Sequence, residues 1–502
     1  MTTSLSAQQE WALQPWVQVE GKFGGQQLGG RVSYLGKKND STLIAVGDGN
    51  GTIYVYQMKS SADTIPKYTI QGNSCLLGDF NGDGIKDLAV SGNPTRIYLG
   101  KSPGVFDTVP FFVKYQENNG AGFGIHLAVG KINGDIYDDL VITDVGYPNG
   151  TTVGRVYLFL GGVQMDTIPD CILNGSNTLS YFGWNIATGD LNNDGFDDII
   201  VRGYDGTSLS ESGRFCYIKI YLGGNSVDTT MWRYIKGSNS TVQGLACFDV
   251  NGDGKKDLLW TTYSTKDSMI SVYTHFSQIG NIDTVPSLVI PNGRAANITD
   301  AGDMNGDGYN DILISDDNSD QGGYSYVFEY SGGPKMDTHF DAAVGLGGGS
   351  NIGNLGSIAG IGDVNNDGYD DIVVGAPFYQ WGSNRGYFAV FLGSKNIPVT
   401  KVQSQNVTTP LIFALSQNYP NPFNPTTTIG YELSVTSYVT LRVFDLLGRE
   451  VAVLVNKEQK AGNYTATFDA RKLSGGIYFY RLTAVTTQAR IQTETKRMTL
   501  IK

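Results

Sequence analysis

Asp303-Met-Asn305-Gly-Asp307-Gly308-Tyr309-Asn-Asp311-Ile-Leu-Ile314 is the stretch on which the reading of this 502-residue chain turns. Asp, Asn and Asp at positions 1, 3 and 5 place three side-chain oxygens where one ion can collect them. Gly at position 6 permits a sharp turn at positive φ, because it has no Cβ to clash. Position 7 offers a backbone carbonyl, and Asp at position 9 closes the set. Calcium, a hard cation that takes about six to eight oxygens, suits such a loop. Without an ion, three carboxylates within nine residues repel one another. An EF-hand needs a bidentate Glu at position 12, and here that residue is Ile314.

The same pattern recurs at Asp79, Asn81, Asp83, Ile85 and Asp87, at Asp190, Asn192, Asp194, Phe196 and Asp198, at Asp249, Asn251, Asp253, Lys255 and Asp257, and at Asp363, Asn365, Asp367, Tyr369 and Asp371. With Asp303, Asn305, Asp307, Tyr309 and Asp311 these make about five expected structural calcium sites. A sixth copy departs from the pattern, with Lys131 at position 1 and Ile136 at position 6. Its ammonium would repel a cation and neutralise Asp135 and Asp139 instead, so that loop is expected to be metal-free. Intervals of 52, 59, 59, 54 and 60 residues separate the copies. Such even spacing marks a repeat architecture.

Each loop runs into a short apolar segment, such as Asp-Leu-Ala-Val90 or Asp-Ile-Val-Val374, which reads as a buried strand. A second strand ending in a Gly-Gly-like turn follows, as at Gly154–Gly162 and Cys216–Gly224. A further strand opens on Asp-Thr-(Ile/Val)-Pro. Four strands in about 55 residues fit one propeller blade. Leu28–Gly36, Leu43–Gly47 and Gly51–Tyr56 keep this frame without the acidic loop. The expectation is therefore an all-β, seven-bladed β-propeller over residues 22–400, with residues 1–21 supplying a strand that closes the last blade.

On these residues the repeats resemble the FG-GAP repeats of the integrin α-subunit propeller. Phe123-Gly124, Phe182-Gly183 and Gly375-Ala376-Pro377 carry the resemblance further. It implies that ligands use the face opposite the calcium loops. There the expected loops carry Tyr147, Tyr204, Tyr263, Tyr379 and Trp381, aromatic residues suited to stacking on sugars or contacting a protein. FG-GAP propellers serve adhesins, lectins and polysaccharide-degrading enzymes, so the resemblance leaves function open.

Composition shifts near residue 400. Residues 401–416 read as a polar linker, and residues 417–502 show alternating strands with tight turns, the pattern of a small Ig-like β-sandwich. Asn418-Tyr-Pro-Asn-Pro-Phe-Asn-Pro425, Asp445-Leu-Leu-Gly-Arg-Glu450 and Gly475-Gly-Ile-Tyr-Phe-Tyr480 resemble the C-terminal sorting domain of bacterial type IX secretion cargo. That resemblance implies a partner in the type IX secretion machinery. It also implies a secreted or outer-membrane surface location in a Gram-negative bacterium.

From residue 401 onward there are 12 Lys+Arg against 6 Asp+Glu, leaving 24 against 42 before it. A propeller with net charge −18 argues against nucleic acid as a partner. No 20-residue apolar run exists to cross a membrane as a helix. The first 20 residues show neither a basic nor an apolar export segment, so the expectation is that the natural chain start lies upstream. Cys75, Cys171, Cys216 and Cys247 show no metal spacing and no disulfide framework. His126, His275 and His339 stand in unrelated contexts, and no catalytic triad or His-metal spacing appears. The leading expectation is a binding or adhesion module for an extracellular glycan or surface protein. The alternative is an extracellular polysaccharide-degrading enzyme on the same scaffold.

Overall fold

The apolar segments behind the acidic loops become the second strands of successive sheets. Leu88–Val90, Leu140–Ile142, Ile199–Val201, Leu258–Trp260, Ile312–Ile314 and Ile372–Val374 are almost completely buried. A strand covered on both faces must be apolar throughout. These runs therefore show no polar–apolar alternation.

The computed structural model describes residues 15–501 apart from 39–40, 60–63, 118–121, 149–151, 177–179, 206–214, 228, 239–243, 265–268, 294, 317–324, 347–356, 378–384, 396–412, 434–435, 446–448, 472 and 487–490. Its contacts divide the chain into two units, Met1–Thr400 and Lys401–Lys502. Among the described residues no helix occurs.

Among the described residues the first unit contains seven four-stranded antiparallel sheets. Sheet 1 holds Arg31–Lys38, Ser41–Gly47, Thr52–Met58 and Tyr68–Gln71. Sheet 2 holds Cys75–Gly78, Asp87–Val90, Thr95–Tyr98 and Phe112–Lys114. Sheet 3 holds Phe123–Gly130, Asp139–Asp144, Arg155–Phe159 and Cys171–Asn174. Sheet 4 holds Asn185–Gly189, Asp198–Asp205, Phe215–Tyr221 and Met231–Lys236. Sheet 5 holds Leu245–Phe248, Asp257–Ser264, Met269–His275 and Leu288–Gly293. Sheet 6 holds Ala295–Gly302, Asp311–Asp316, Ser325–Tyr330 and Ala342–Leu346. Sheet 7 holds Ile358–Gly362, Asp371–Ala376, Tyr387–Phe391 and, as its outermost strand, Val17–Glu20 from the other end of the unit. The first strand of each sheet neighbours the first strand of the next, and Ile358–Gly362 neighbours Arg31–Lys38. The ring thus closes, as a β-propeller does.

Each interface between neighbouring sheets is an apolar layer. Between sheets 4 and 5, for example, Leu191, Ile200, Ile218 and Ile220 meet Leu258 and Trp260. The four cysteines sit in or beside such layers without a disulfide.

In the second unit, Phe413–Leu415, Thr426–Leu433 and Gly462–Asp469 form one sheet. Ser437–Asp445, Glu450–Gln459, Gly476–Thr486 and Ile491–Leu500 form another. Ile429, Tyr431 and Phe468 from the first share a core with Leu441, Tyr480, Leu482 and Met498 from the second. The Asn-Tyr-Pro opening is built into this core. Asn418 N–H donates to the Tyr480 hydroxyl at 2.8 Å and its side-chain amide to Thr427 Oγ1 at 2.9 Å, while Phe423 is buried. Tyr419 between them is 81% exposed.

Candidate metal centres

Every acidic loop joins the first strand of its sheet to the second, so all lie at the same end of their sheets. The five intact loops share one hydrogen-bond scheme. The N–H at position 6 donates to the position-1 carboxylate, from Gly84 to Asp79 at 2.9 Å and from Gly308 to Asp303 at 2.9 Å. The N–H at position 5 donates to the position-3 amide oxygen, from Asp194 to Asn192 at 2.9 Å and from Asp307 to Asn305 at 2.8 Å. The N–H at position 7 donates to the position-5 carboxylate, from Lys255 to Asp253 at 3.0 Å and from Tyr369 to Asp367 at 3.0 Å. The backbone is therefore wound around the side-chain oxygens. Gly84, Gly195, Gly254, Gly308 and Gly368 take φ between 81° and 93°, the region that excludes most side chains.

The position-9 carboxylates form the floor of each loop. Asp87, Asp198, Asp257, Asp311 and Asp371 are fully buried. Asp371 accepts the Val364 N–H at 2.7 Å and the Gly393 N–H at 2.8 Å, and the same pair of backbone donors recurs in the other sheets. Burial pushes Asp198, Asp257, Asp311 and Asp371 up to about 7. The position-5 and position-1 carboxylates add to that rise, and the backbone N–H bonds oppose it.

Among the described residues, no three Asp, Glu, His or Cys side chains form a ready cluster for a metal. Each oxygen set instead mixes carboxylate, amide and carbonyl donors. The decisive comparison is internal. Among the described residues, no basic side chain pairs with the carboxylates of the loops at Asp79, Asp190, Asp303 and Asp363; Lys255 pairs with Asp253 in the fifth sheet. The third loop keeps the same winding, with Asp135 and Tyr137 N–H bonds to Asn133 and Asp135. There the Lys131 ammonium folds into the loop, 2.7 Å from the Ile136 carbonyl and 3.4 Å from Asp138, so its ion pair is with Asp138 and not with the expected Asp135 and Asp139. The loops at Lys131 and Asp249 each carry an ammonium of their own, and the loops at Asp79, Asp190, Asp303 and Asp363 have the donor set for a hard cation from outside.

The opposite strand ends carry the aromatic residues. Tyr147 is half-buried with the Arg155 guanidinium 3.5 Å from its ring centre. Tyr263, expected in a loop, lies half-buried in the strand Asp257–Ser264. Tyr204 corrects the sequence reading. It was expected in a loop, but it lies in the strand Asp198–Asp205 and packs edge-on against Tyr181 and Trp184 at 6.3 and 6.2 Å. Burial of the ring against sheet 5 carries the strand past the expected turn. Tyr379 and Trp381 lie outside the described residues.

Sequence reasoning missed several residues. Tyr115 and Phe215 are 65% and 43% exposed at the aromatic end. Arg202 is fully buried, with Nη1 2.9 Å from the Gly244 carbonyl and with Nε and Nη2 without hydrogen-bond partners among the described residues. Glu329 is buried beside the Asp303 loop of sheet 6, and burial with nearby Asp311 and Asp341 pushes its carboxyl up to about 9. Equivalent strand positions hold Ile97, Leu158, Ile220 and Val390, so a lone Glu in that register was the available signal.

Comparison with known families agrees with this architecture. Residues 249–314 match an FG-GAP-like repeat, and residues 182–214 and 355–391 match the FG-GAP repeat. Residues 417–494 match a secretion system C-terminal sorting domain. Integrin alpha-5 of Xenopus laevis is 26% identical over 215 residues, covering 38% of this chain and 19% of that protein. Integrin alpha-IIb of Mus musculus is 35% identical over 150 residues, 28% of this chain and 14% of that protein. A phosphatidylinositol-glycan-specific phospholipase D of Dictyostelium discoideum is 30% identical over 180 residues, 30% of this chain and 19% of that protein. The chain spans less than a fifth of the length of these relatives. It carries FG-GAP repeats in a propeller and a sorting domain that indicates type IX export to the cell surface or medium. Among the described residues no helix is long and apolar enough to cross a membrane.

Proposed function

We propose that the chain is an exported, calcium-stabilised binding module whose ligand is an extracellular glycan or surface protein. The observation that carries the calcium part is the contrast between the Lys131 loop, where an ammonium stands in place of the position-1 carboxylate, and the loops at Asp79, Asp190, Asp303 and Asp363, whose carboxylates are gathered without a basic partner among the described residues. In each intact loop, position-1, -3, -5 and -9 side chains and the position-7 carbonyl would hold the ion. The ion would supply charge neutralisation, and the chain's own backbone N–H groups would hold the oxygens in place around it. A nearby divalent charge reverses the pressure that burial puts on the position-9 carboxylates.

The ligand-binding part rests on the aromatic end. Tyr147, Tyr263, Tyr115 and Phe215 offer rings at strand ends remote from the acidic loops, and the Arg155 and Lys236 cations lie against two of them. Rings with adjacent cations suit the apolar faces and hydroxyl groups of sugars, or an amphipathic protein surface. Rigid scaffolds commonly present such residues at their loop ends.

The test is retention of the purified chain on immobilised polysaccharides in millimolar calcium. Retention is expected to fall about tenfold in Tyr147→Ala, in line with one stacked ring worth about 1.5 kcal/mol. Intact glycan recovered after elution supports binding alone, whereas shortened glycan would replace it with the enzyme reading. Equal retention of the variant and the unaltered chain would remove Tyr147 from the site.

A further inference from the structure

Position 4 of the acidic loops is Gly82, Gly134, Gly252 and Gly306 in four copies, and Asn193 and Asn366 in two. All six take φ between 58° and 77°. Glycine and asparagine both tolerate that region, so backbone conformation does not explain the choice. The neighbouring sheet does. A Cβ on Gly82 would stand 2.5 Å from the Tyr137 ring and one on Gly306 2.6 Å from the Tyr369 ring. Gly134 and Gly252 lie equally tight beneath Phe196 and Tyr309. Each of these rings is the position-7 residue of the next loop. Asparagine appears where that ring is missing. Loop 4 is followed by Lys255, which turns to Asp253 of its own loop. Loop 7 is followed by sheet 1, whose Lys37 instead donates to Asn366 Oδ1 at 2.6 Å.

Two further contacts respect the same division. The carbonyl at position 2 of a loop accepts an N–H from the turn after the third strand of the next sheet. These bonds are Gly162 to Phe80 at 2.8 Å, Gly224 to Ile132 at 2.8 Å, Gly333 to Val250 at 2.7 Å and Ser394 to Met304 at 2.9 Å. At the junction of sheets 4 and 5 the corresponding bond shifts to position 3, from Gly280 to Asn192. At three junctions the position-8 aspartate also grips the backbone of position 1 in the preceding loop. Asp138 accepts the Asp79 N–H at 2.7 Å, Asp197 the Lys131 N–H at 2.8 Å and Asp370 the Asp303 N–H at 2.9 Å. Each aspartate returns its own N–H to the carbonyl of that residue.

We propose that Tyr137, Phe196, Tyr309 and Tyr369 are positioning residues for the preceding loop, and that the loops form two coupled runs, those of sheets 2–4 and those of sheets 5–7. The inference rests on the calcium reading above and adds its connectivity. Within a run, the position-7 residue that would offer its carbonyl to one loop's ion carries the ring that holds down the preceding loop's backbone. Ordering one loop therefore lowers the cost of ordering its neighbour. Between sheets 4 and 5, and between sheets 7 and 1, that link is missing.

Tyr137 gives the cleanest test, because it belongs to the Lys131 loop and no cation ligand is altered by changing it. Calcium is titrated calorimetrically into the full chain and into Tyr137→Ala, Tyr137→Phe and Asp83→Asn. Tyr137→Ala is expected to weaken one site about tenfold, the same site that Asp83→Asn abolishes, and Tyr137→Phe to restore it. A second variant, Tyr369→Ala, is expected to weaken the site that Asp307→Asn abolishes, which keeps the proposal testable if Tyr137→Ala does not fold. Calcium uptake by Tyr137→Ala indistinguishable from the unaltered chain overturns the coupling alone. No calcium uptake by the unaltered chain overturns the cation reading and the coupling with it.

Discussion

Removal of calcium is expected to lower the melting temperature of the propeller unit by on the order of 15 °C while leaving the sorting unit's transition in place. A ligand that binds only the folded state stabilises it by about 2.7 kcal/mol when present at about 100 times its Kd. Five such sites together contribute roughly 13 kcal/mol, and a folding unit of this size loses about 1 °C for each 0.8 kcal/mol or so. The sorting unit has its own core, built around Ile429, Leu441, Tyr480 and Met498, and none of the acidic loops. It serves as an internal reference in the same calorimetric scan. Asp307→Ala removes one ligand set and should cost about a fifth of the total shift. A propeller transition that stays put in chelator would sink the calcium assignment for all five loops.

Removing residues 1–20 is expected to destabilise the propeller by roughly 3–6 kcal/mol, from the burial of Val17 and Val19 alone. In the strand Val17–Glu20 the valines face the core at 9% and 8% exposure, and Gln18 and Glu20 face outward. The strand pairs with Tyr387–Phe391, Val19 opposite Phe388, and Gly21 N–H extends the ladder to the Gly386 carbonyl at 2.9 Å. Its loss would leave sheet 7 with three strands and an unpaired apolar edge, a template for association with other chains. The expected result is an earlier thermal transition with aggregation. Gln18→Ala, which changes only an outward-facing side chain, should melt within about 1 °C of the unaltered chain. A truncated chain that melts with the full-length one would show that the strand contributes nothing to closure.

The loops were legible because their chemistry is local. Nine consecutive residues supply every oxygen, and the hydrogen bonds that wind the backbone join residues two to seven apart. The buried second strands were legible for a similar reason, since an unbroken run such as Ile372-Val-Val374 has few alternatives to a strand covered on both faces. The Lys131 departure announced itself as a sign change at one position. Tyr204 was misplaced because nothing nearby in sequence says that Tyr181 and Trp184 wait on the same side of sheet 4 to bury it. The buried guanidinium of Arg202 was missed for the same reason.

Repetition, loop chemistry and the all-β character were thus written into the chain, since each arises from contacts within one turn or one strand. The fold alone settles how repeats meet. The ring of Tyr137 over Gly82, the grip of Asp138 on Asp79, and the pairing of Val19 with Phe388 join residues from about 55 to about 370 positions apart. The recurrence of Tyr or Phe at position 7 and of Asp at position 8 is visible in the sequence, but what those side chains touch is not. At position 4 both glycine and asparagine satisfy the local backbone, and only the side chain arriving from the next sheet distinguishes them.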